Sequence, residues 1–135
     1  MTQEDKNLLF KDLCARLPYE IRCSYYDICL SAHCNGEVYG IENKEYAIVD
    51  GRCIAIEFIK PYLFPLSSMT EEQKEEIEDK LIFPSNSNGG WIEILYNDIY
   101  NIPFWFVDFC NKNHFDYRGL IEKGLAIDCT NLNIY

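Results

Sequence analysis

IRCSYYDICLSAHCNGEVYGIENKEYAIVDGRCIAIEF, residues Ile21–Phe58, is the stretch on which the fold turns. Ile21, Cys23 and Tyr25 alternate with Arg22 and Ser24, a period of two that gives a strand one apolar and one polar face. Ile28–Cys34 reads as a second extended run closed by Asn35-Gly36. An Asn-Gly pair between extended segments signals a hairpin, because a type I′ turn needs positive φ at both central residues. Glu37–Ile41 returns as the next strand and Tyr46–Val49 follows. Asp50-Gly51 is a second such turn, leading into Cys53–Phe58. Four or five short strands joined by tight turns predict an antiparallel meander that curls to hide its edges. A small SH3-like barrel or curled sheet is the expected form.

Outward toward the N-terminus, residues 4–16 read as an amphipathic helix. Leu8, Leu9, Leu13 and Leu17 recur at helical spacing, with Phe10 and Cys14 beside them. Thr2 suits the N-cap, Glu4 and Asp5 suit the positive end of the helix dipole, and Pro18 stops the run.

Toward the C-terminus, Ile59-Lys60-Pro61-Tyr62-Leu63-Phe64-Pro65 carries two prolines and reads as an irregular segment leaving the sheet, with room for one helical turn. A helix then starts at Thr70, which forms a capping-box pattern with Gln73. Its apolar stripe is narrow (Met69, Ile77, Leu81), while Glu71, Glu72, Glu75 and Glu76 make it strongly acidic. Residues 84–90, PSNSNGG, form the clearest loop, and Trp91–Tyr96 reads as a strand that could pair with residues 81–83. Asn101 suits a cap for the helix FWFVDFCNKN, which is apolar around most of its girth and is expected to be well buried. HFDYRGLIEKGLAID predicts a short helix ended by Gly124, then a terminal strand or tail. The fold class is therefore α+β: an N-terminal helix, a small antiparallel sheet and packed C-terminal helices. Residues 1–135 read as one domain, with 1–60 the helix and meander and 61–135 a mixed helical part packed on it.

Composition agrees with a folded core. The 135 residues are 48% hydrophobic and 15% aromatic, the opposite of a disordered chain. A net charge of −10 with only 12 basic residues disfavours duplex-DNA binding, which depends on neutralising phosphates. Tyr25, Tyr39 and Tyr46 could stack on single-stranded nucleic acid, but basic residues are not interleaved with them. The N-terminus lacks the apolar core of a signal peptide, and no stretch has the ~20 apolar residues a membrane span needs. A cytoplasmic location is the expectation. Seven cysteines, an odd number with no CxxC pair, then read as free thiols.

Three segments carry a resemblance. LCARLPY (Leu13–Tyr19), IKPYLFPLSSMTEEQKEE (Ile59–Glu76) and NKNHFDYRGLIEKGLAID (Asn111–Asp128) resemble, in that order, motifs of a family of small uncharacterised proteins of gut anaerobic bacteria and their phages. The resemblance implies a phage or mobile-element setting. It brings no activity, catalytic residue or cofactor.

Catalytic constellations are weak. Cys29, His33 and Cys34 offer nitrogen and sulfur ligands, but Cys29 and Cys34 point to opposite faces of a strand and a fourth ligand is missing, so no metal or other cofactor is expected. Cys110 and His114 share a helix face, with Asp116 near enough in sequence to orient the histidine as in a nucleophile–base pair. Burial of Cys110 on an apolar helix argues against that chemistry. His114, Asp116, Tyr117 and Arg118 form the most polar cluster of this region. It is either a helix corner capped by Asp116 or a recognition surface, since Tyr and Arg are favoured at binding hot spots. With Glu71, Glu72, Glu75 and Glu76 these residues make up the candidate interaction surface. The function expected is a non-enzymatic adapter or accessory factor that binds another protein. The alternative is an acidic inhibitor that imitates DNA to occupy a host DNA-binding protein. A Cys110-dependent enzyme comes third.

Overall fold

The computed structural model describes residues 1–80 and 104–135. The loop at 84–90, the strand at 91–96, the Asn101 cap and the Leu81 end of the acidic helix lie outside the described residues.

Helix α1 (Gln3–Arg16) begins as its sequence reads, with the Asp5 N–H donating to Thr2 Oγ1 at 3.1 Å. Leu9 and Leu13 are fully buried, and Leu8, Phe10 and Leu17 pack partly against the same core. The buried face also holds Asp12 and Arg16, which the apolar periodicity did not mark.

Strand β1 (Arg22–Asp27) buries Cys23, Tyr25 and Asp27 on one face. The first hairpin turn differs from the expectation. Asn35-Gly36 lies inside an uninterrupted strand β2 (Ala32–Glu42), pairing with Ser24 and Cys23, and the chain reverses instead at residues 28–31. Gly36 is there for space. A Cβ on it would lie 2.5 Å from Asp50 Oδ2 and 2.8 Å from Val49 Cγ1, so the end of the next hairpin sits directly against the β2 backbone. That hairpin, β3 (Tyr46–Val49) and β4 (Arg52–Ala55), turns at Asp50-Gly51 with φ of 50° and 81°, the two positive angles of a type I′ turn. Asn43 and Lys44, with φ of 55° and 61°, make the β2–β3 turn in the same way.

Ile59–Pro65 does not leave the sheet. It is strand β5, antiparallel to β1 through Ile59, Lys60 and Pro61. It runs parallel to β7 (Ile127–Asp128) at Tyr62 and Leu63, and to β6 (Phe115–Asp116) at Phe64 and Pro65. Each proline ends one of those ladders, where a missing N–H costs least. Because β5 is engaged by β1 and by the C-terminal strands, it does not reach β4 to close a cylinder. The order β4-β3-β2-β1-β5-β6, with β7 also on β5, is an open path of mixed sense. The described strands thus form an open sheet, and barrel closure is not made.

Helix α2 (Glu71–Lys80) has the expected capping box: Thr70 N–H donates to Gln73 Oε1 at 2.9 Å, and Gln73 N–H to Thr70 Oγ1 at 3.2 Å. Helix α3 (Phe104–Lys112) is less buried than its girth suggests. Phe106 and Cys110 are inside, but Phe104 is 79% exposed. The short helix after Arg118 is reduced to turns. Leu125 N–H donates to Leu120 O and Gly124 N–H to Ile121 O, the paired bonds of a helix C-terminus, with Gly124 at φ 72°. The stop signal was real although only one turn precedes it.

Two apolar clusters result. One joins α1 to the sheet and takes in Leu120, Leu125 and Ala126. The other gathers Met69 and Ile77 with Phe106, Cys110, Phe115 and Tyr117. They do not divide at residue 60, because the first draws on the last twenty residues and neighbouring Leu63 and Phe64 pack into different clusters.

Candidate functional site

The polar cluster singled out in the sequence is an internal joint. His114, at φ 64°, accepts the Phe64 N–H on its carbonyl at 2.8 Å and lays its ring on Tyr135, 3.5 Å between centroids and 9° from parallel. Burial, assisted by the nearby Arg16 charge, lowers the imidazole pKa to about 4. Asp116, buried, accepts the N–H groups of Leu120 and Ile121 at 3.0 and 2.9 Å, which is the capping role its position suggests. Two guanidinium groups lie over the Tyr117 ring, with Arg16 Cζ 5.3 Å and Arg118 Cζ 5.0 Å from its centroid.

Arg16 is the centre of this joint and sequence reasoning missed it. It is 1% exposed, and its guanidinium donates to Asp12 Oδ2 at 2.8 Å, to Asp12 Oδ1 at 3.2 Å and to the Phe115 carbonyl at 2.7 Å. A longer bond of 3.5 Å reaches the Cys110 carbonyl. Arg118 adds a second cation 3.4 Å from Asp12 Oδ1. The available signal was Asp12 and Arg16, four apart on the face of α1 that also presents Leu9 and Leu13. An ion pair on the apolar side of a helix needs a polar receptor, and the α3–β6 carbonyls supply it.

Nothing in this joint is arranged for nucleophilic chemistry. Cys110 is fully buried and its thiol is pushed up to about 12 by desolvation, which suppresses the thiolate. Cys23 is raised to about 12 and Cys129 to about 11 for the same reason. Of the residues weighed as metal ligands, Cys29 is exposed in the turn after β1, His33 lies on the outer sheet face and Cys34 is half-buried. Among the described residues no three His, Cys, Asp or Glu side chains converge as a metal site.

The acidic residues of α2 remain outside. Glu71, Glu72, Glu75 and Glu76 are exposed opposite the fully buried Ile77. Lys74 reaches Glu71 at 3.4 Å, and Glu76 and Glu78 also have interaction partners.

The most constructed part of the surface is the end of the β1–β2 hairpin. Asp27 is 3% exposed, and its Oδ1 accepts the N–H groups of Cys29 and Leu30 at 2.9 and 3.3 Å. Its Oδ2 takes an ion pair from Arg52 of β4. Ser31, at φ 48°, completes the reversal by donating its N–H to the Ile28 carbonyl at 3.3 Å. This pinned turn holds Ile28 and Leu30 into solvent, 65% and 58% exposed. On the outer face of the same hairpin Tyr26 meets His33 edge-on at 5.1 Å and Phe58 at 6.2 Å. With Ser24, Glu57, Lys60 and Ile127 these side chains line an open groove of about 460 Å³.

Comparison with family models, curated proteins and solved structures finds no match for the chain. No helix among the described residues is long and apolar enough to cross a membrane.

Proposed function

We propose that the chain is a non-enzymatic protein-binding module, an adapter or accessory factor, which engages another protein through the Ile28–Ser31 turn. The observation that carries this reading is the use of a buried carboxylate, Asp27, to hold a turn whose large side chains are aliphatic and exposed. Turns exist to reverse the chain and are ordinarily polar. Here Ile28 and Leu30 gain nothing from the fold, and fixing them in advance reduces the ordering cost of binding. The partner is a protein with an apolar cleft that accepts two neighbouring aliphatic side chains. An SH3-like character of the curled sheet belongs to the same proposal, as does the phage or mobile-element setting implied by the KPYL and HFDYRG motifs. A cytoplasmic site of action fits the free thiols.

Charge mimicry by α2 is the weaker reading. It needs a row of unpaired carboxylates, and Glu71 is already engaged by Lys74, while Glu76 and Glu78 have partners too.

The test is affinity capture from nuclease-treated lysate of the native host. Wild-type protein is compared with an Ile28→Ser/Leu30→Ser variant shown by circular dichroism to be folded. A stoichiometric protein retained by the wild type and lost by the variant is the expected result. Equal capture by both, or no partner at all, would overturn the reading.

A further inference from the structure

Ser24, Tyr26, His33, Phe58 and Lys60 stand on the outer sheet face beside the turn, and that face has its own chemistry. Ser24 and Lys60 are register partners across β1 and β5, and Tyr26 and His33 are partners across β1 and β2. Their side chains stand on the face of the sheet away from Cys23 and Tyr25, so α1 does not cover them. Phe58, in the turn of 3-10 helix before β5, folds its ring against Tyr26. Three rings, Tyr26, His33 and Phe58, meet in the lining of the groove. Its charged residues are one acid and one base, Glu57 and Lys60, both exposed and neither in an ion pair among the described residues.

We propose that this face is the contact between two copies of the chain related by a two-fold axis. In a two-fold contact every patch meets itself, so a charged residue on one side of the axis faces whatever lies on the other. A lining of aromatic rings with one acid and one base satisfies that condition. With the axis passing between them, Glu57 of each copy meets Lys60 of the other, twice over, and the Tyr26 and Phe58 rings pack in the middle. The overall charge points the same way. At a net charge of −10, a copy approaching most of the surface meets repulsion. At this groove Glu57 and Lys60 cancel. A foreign partner chosen by charge would instead select a patch of single sign.

Sedimentation velocity on the purified chain over a range of concentrations reads the result directly, with circular dichroism confirming that each variant is folded. The wild type should associate reversibly to a dimer. Glu57→Lys alone and Lys60→Glu alone should each weaken the dimer about tenfold or more, since each turns two attractive contacts into two repulsive ones. The Glu57→Lys/Lys60→Glu double variant should recover wild-type association. Mixing the two single variants should give a heterodimer tighter than either forms alone. The Ile28→Ser/Leu30→Ser variant should dimerise like the wild type, which separates this inference from the partner proposed for the turn. A chain that stays monomeric at every concentration would overturn the inference. So would a dimer indifferent to the charge variants, or one abolished by the turn variant.

Discussion

A methyl group on Gly36 would sit 2.5 Å from Oδ2 of Asp50, a contact that fixes how closely the β3–β4 hairpin approaches β2. The same Asp50 accepts the Glu37 N–H on Oδ1 at 3.1 Å, so its carboxylate is not free to swing away without losing a bond. Gly36→Ala should therefore destabilise the protein by about 1–3 kcal/mol, the range for forcing an extra carbon into a packed site. Urea denaturation followed by circular dichroism measures it. A loss within a few tenths of a kcal/mol would mean that the hairpin is not seated as described.

The Asp12–Arg16 pair makes a sharper prediction. Truncating Arg16 to Ala strands a fully buried carboxylate with only Arg118 beside it, and removes the donor to the Phe115 carbonyl. A loss of about 3–5 kcal/mol is expected. Asp12→Ala strands the guanidinium instead. Removing both should cost clearly less than the sum of the single losses, because neither charge is then left alone. A double-mutant cycle by chemical denaturation checks this.

His114 gives the protein an acid-sensitive stability. The unfolded imidazole takes up a proton near pH 6.5, whereas the folded one resists until about pH 4. Between those values the unfolded state binds more protons, so stability falls as pH falls through that window and is unaffected by this group above it. The carboxylates add their own acid dependence, so the comparison is with His114→Asn, whose side chain tolerates the positive φ. The variant should show a shallower fall in melting temperature from pH 6.5 to 4.5. Identical slopes would show that the ring is not shielded.

Thiol labelling maps the core. Cys29 and Cys53 are exposed and should react with iodoacetamide in the folded protein. Cys23, Cys110 and Cys129 should label only on unfolding, since they are buried and their thiols are raised to between about 11 and about 12. Mass spectrometry of labelled peptides separates the two groups. Rapid native labelling of Cys110 would revive a nucleophilic role for it.

Local signals were legible where the backbone's own hydrogen bonds decided the outcome. Thr2, the Thr70–Gln73 box, Asp50-Gly51, Asp116 and Gly124 all do what their positions suggest, because capping and positive φ are properties of a few adjacent residues. Signals failed where tertiary contact decided. Asn35-Gly36 has the composition of a turn, but its glycine is required by a neighbour thirteen or fourteen residues away. The turn at residues 28–31 has no glycine, since Asp27 supplies the hydrogen bonds that a turn residue would. Pro61 and Pro65 looked like breakers, yet each closes a ladder in a strand that changes partners. The candidate site was legible only in part. Asp116 was placed correctly as a cap, while Asp12 and Arg16 were lost among leucines because charges on a short helix look like solvent-facing residues. The exposure of Ile28 and Leu30 cannot be read from one sequence, since aliphatic side chains in an extended run look like core.

Arg16 binds carbonyls 94 and 99 residues further along the chain. A ribosome that has delivered the first sixty residues has supplied the whole of β1–β4, but none of the receptor that Arg16 requires. Strand β5 waits in the same way for β6 and β7. Contacts of such long sequence separation form late, because closing the intervening loop is entropically costly until the far segment is present. The nascent N-terminal half therefore spends its synthesis with an apolar helix face that already carries a charge pair and has nowhere to dock it. The leucines of α1 share a core with β1–β4 inside the first sixty residues. Arg16, however, finds its carbonyl acceptors only when the last quarter of the chain has been made, and a premature stop before residue 110 would leave that buried charge pair without them.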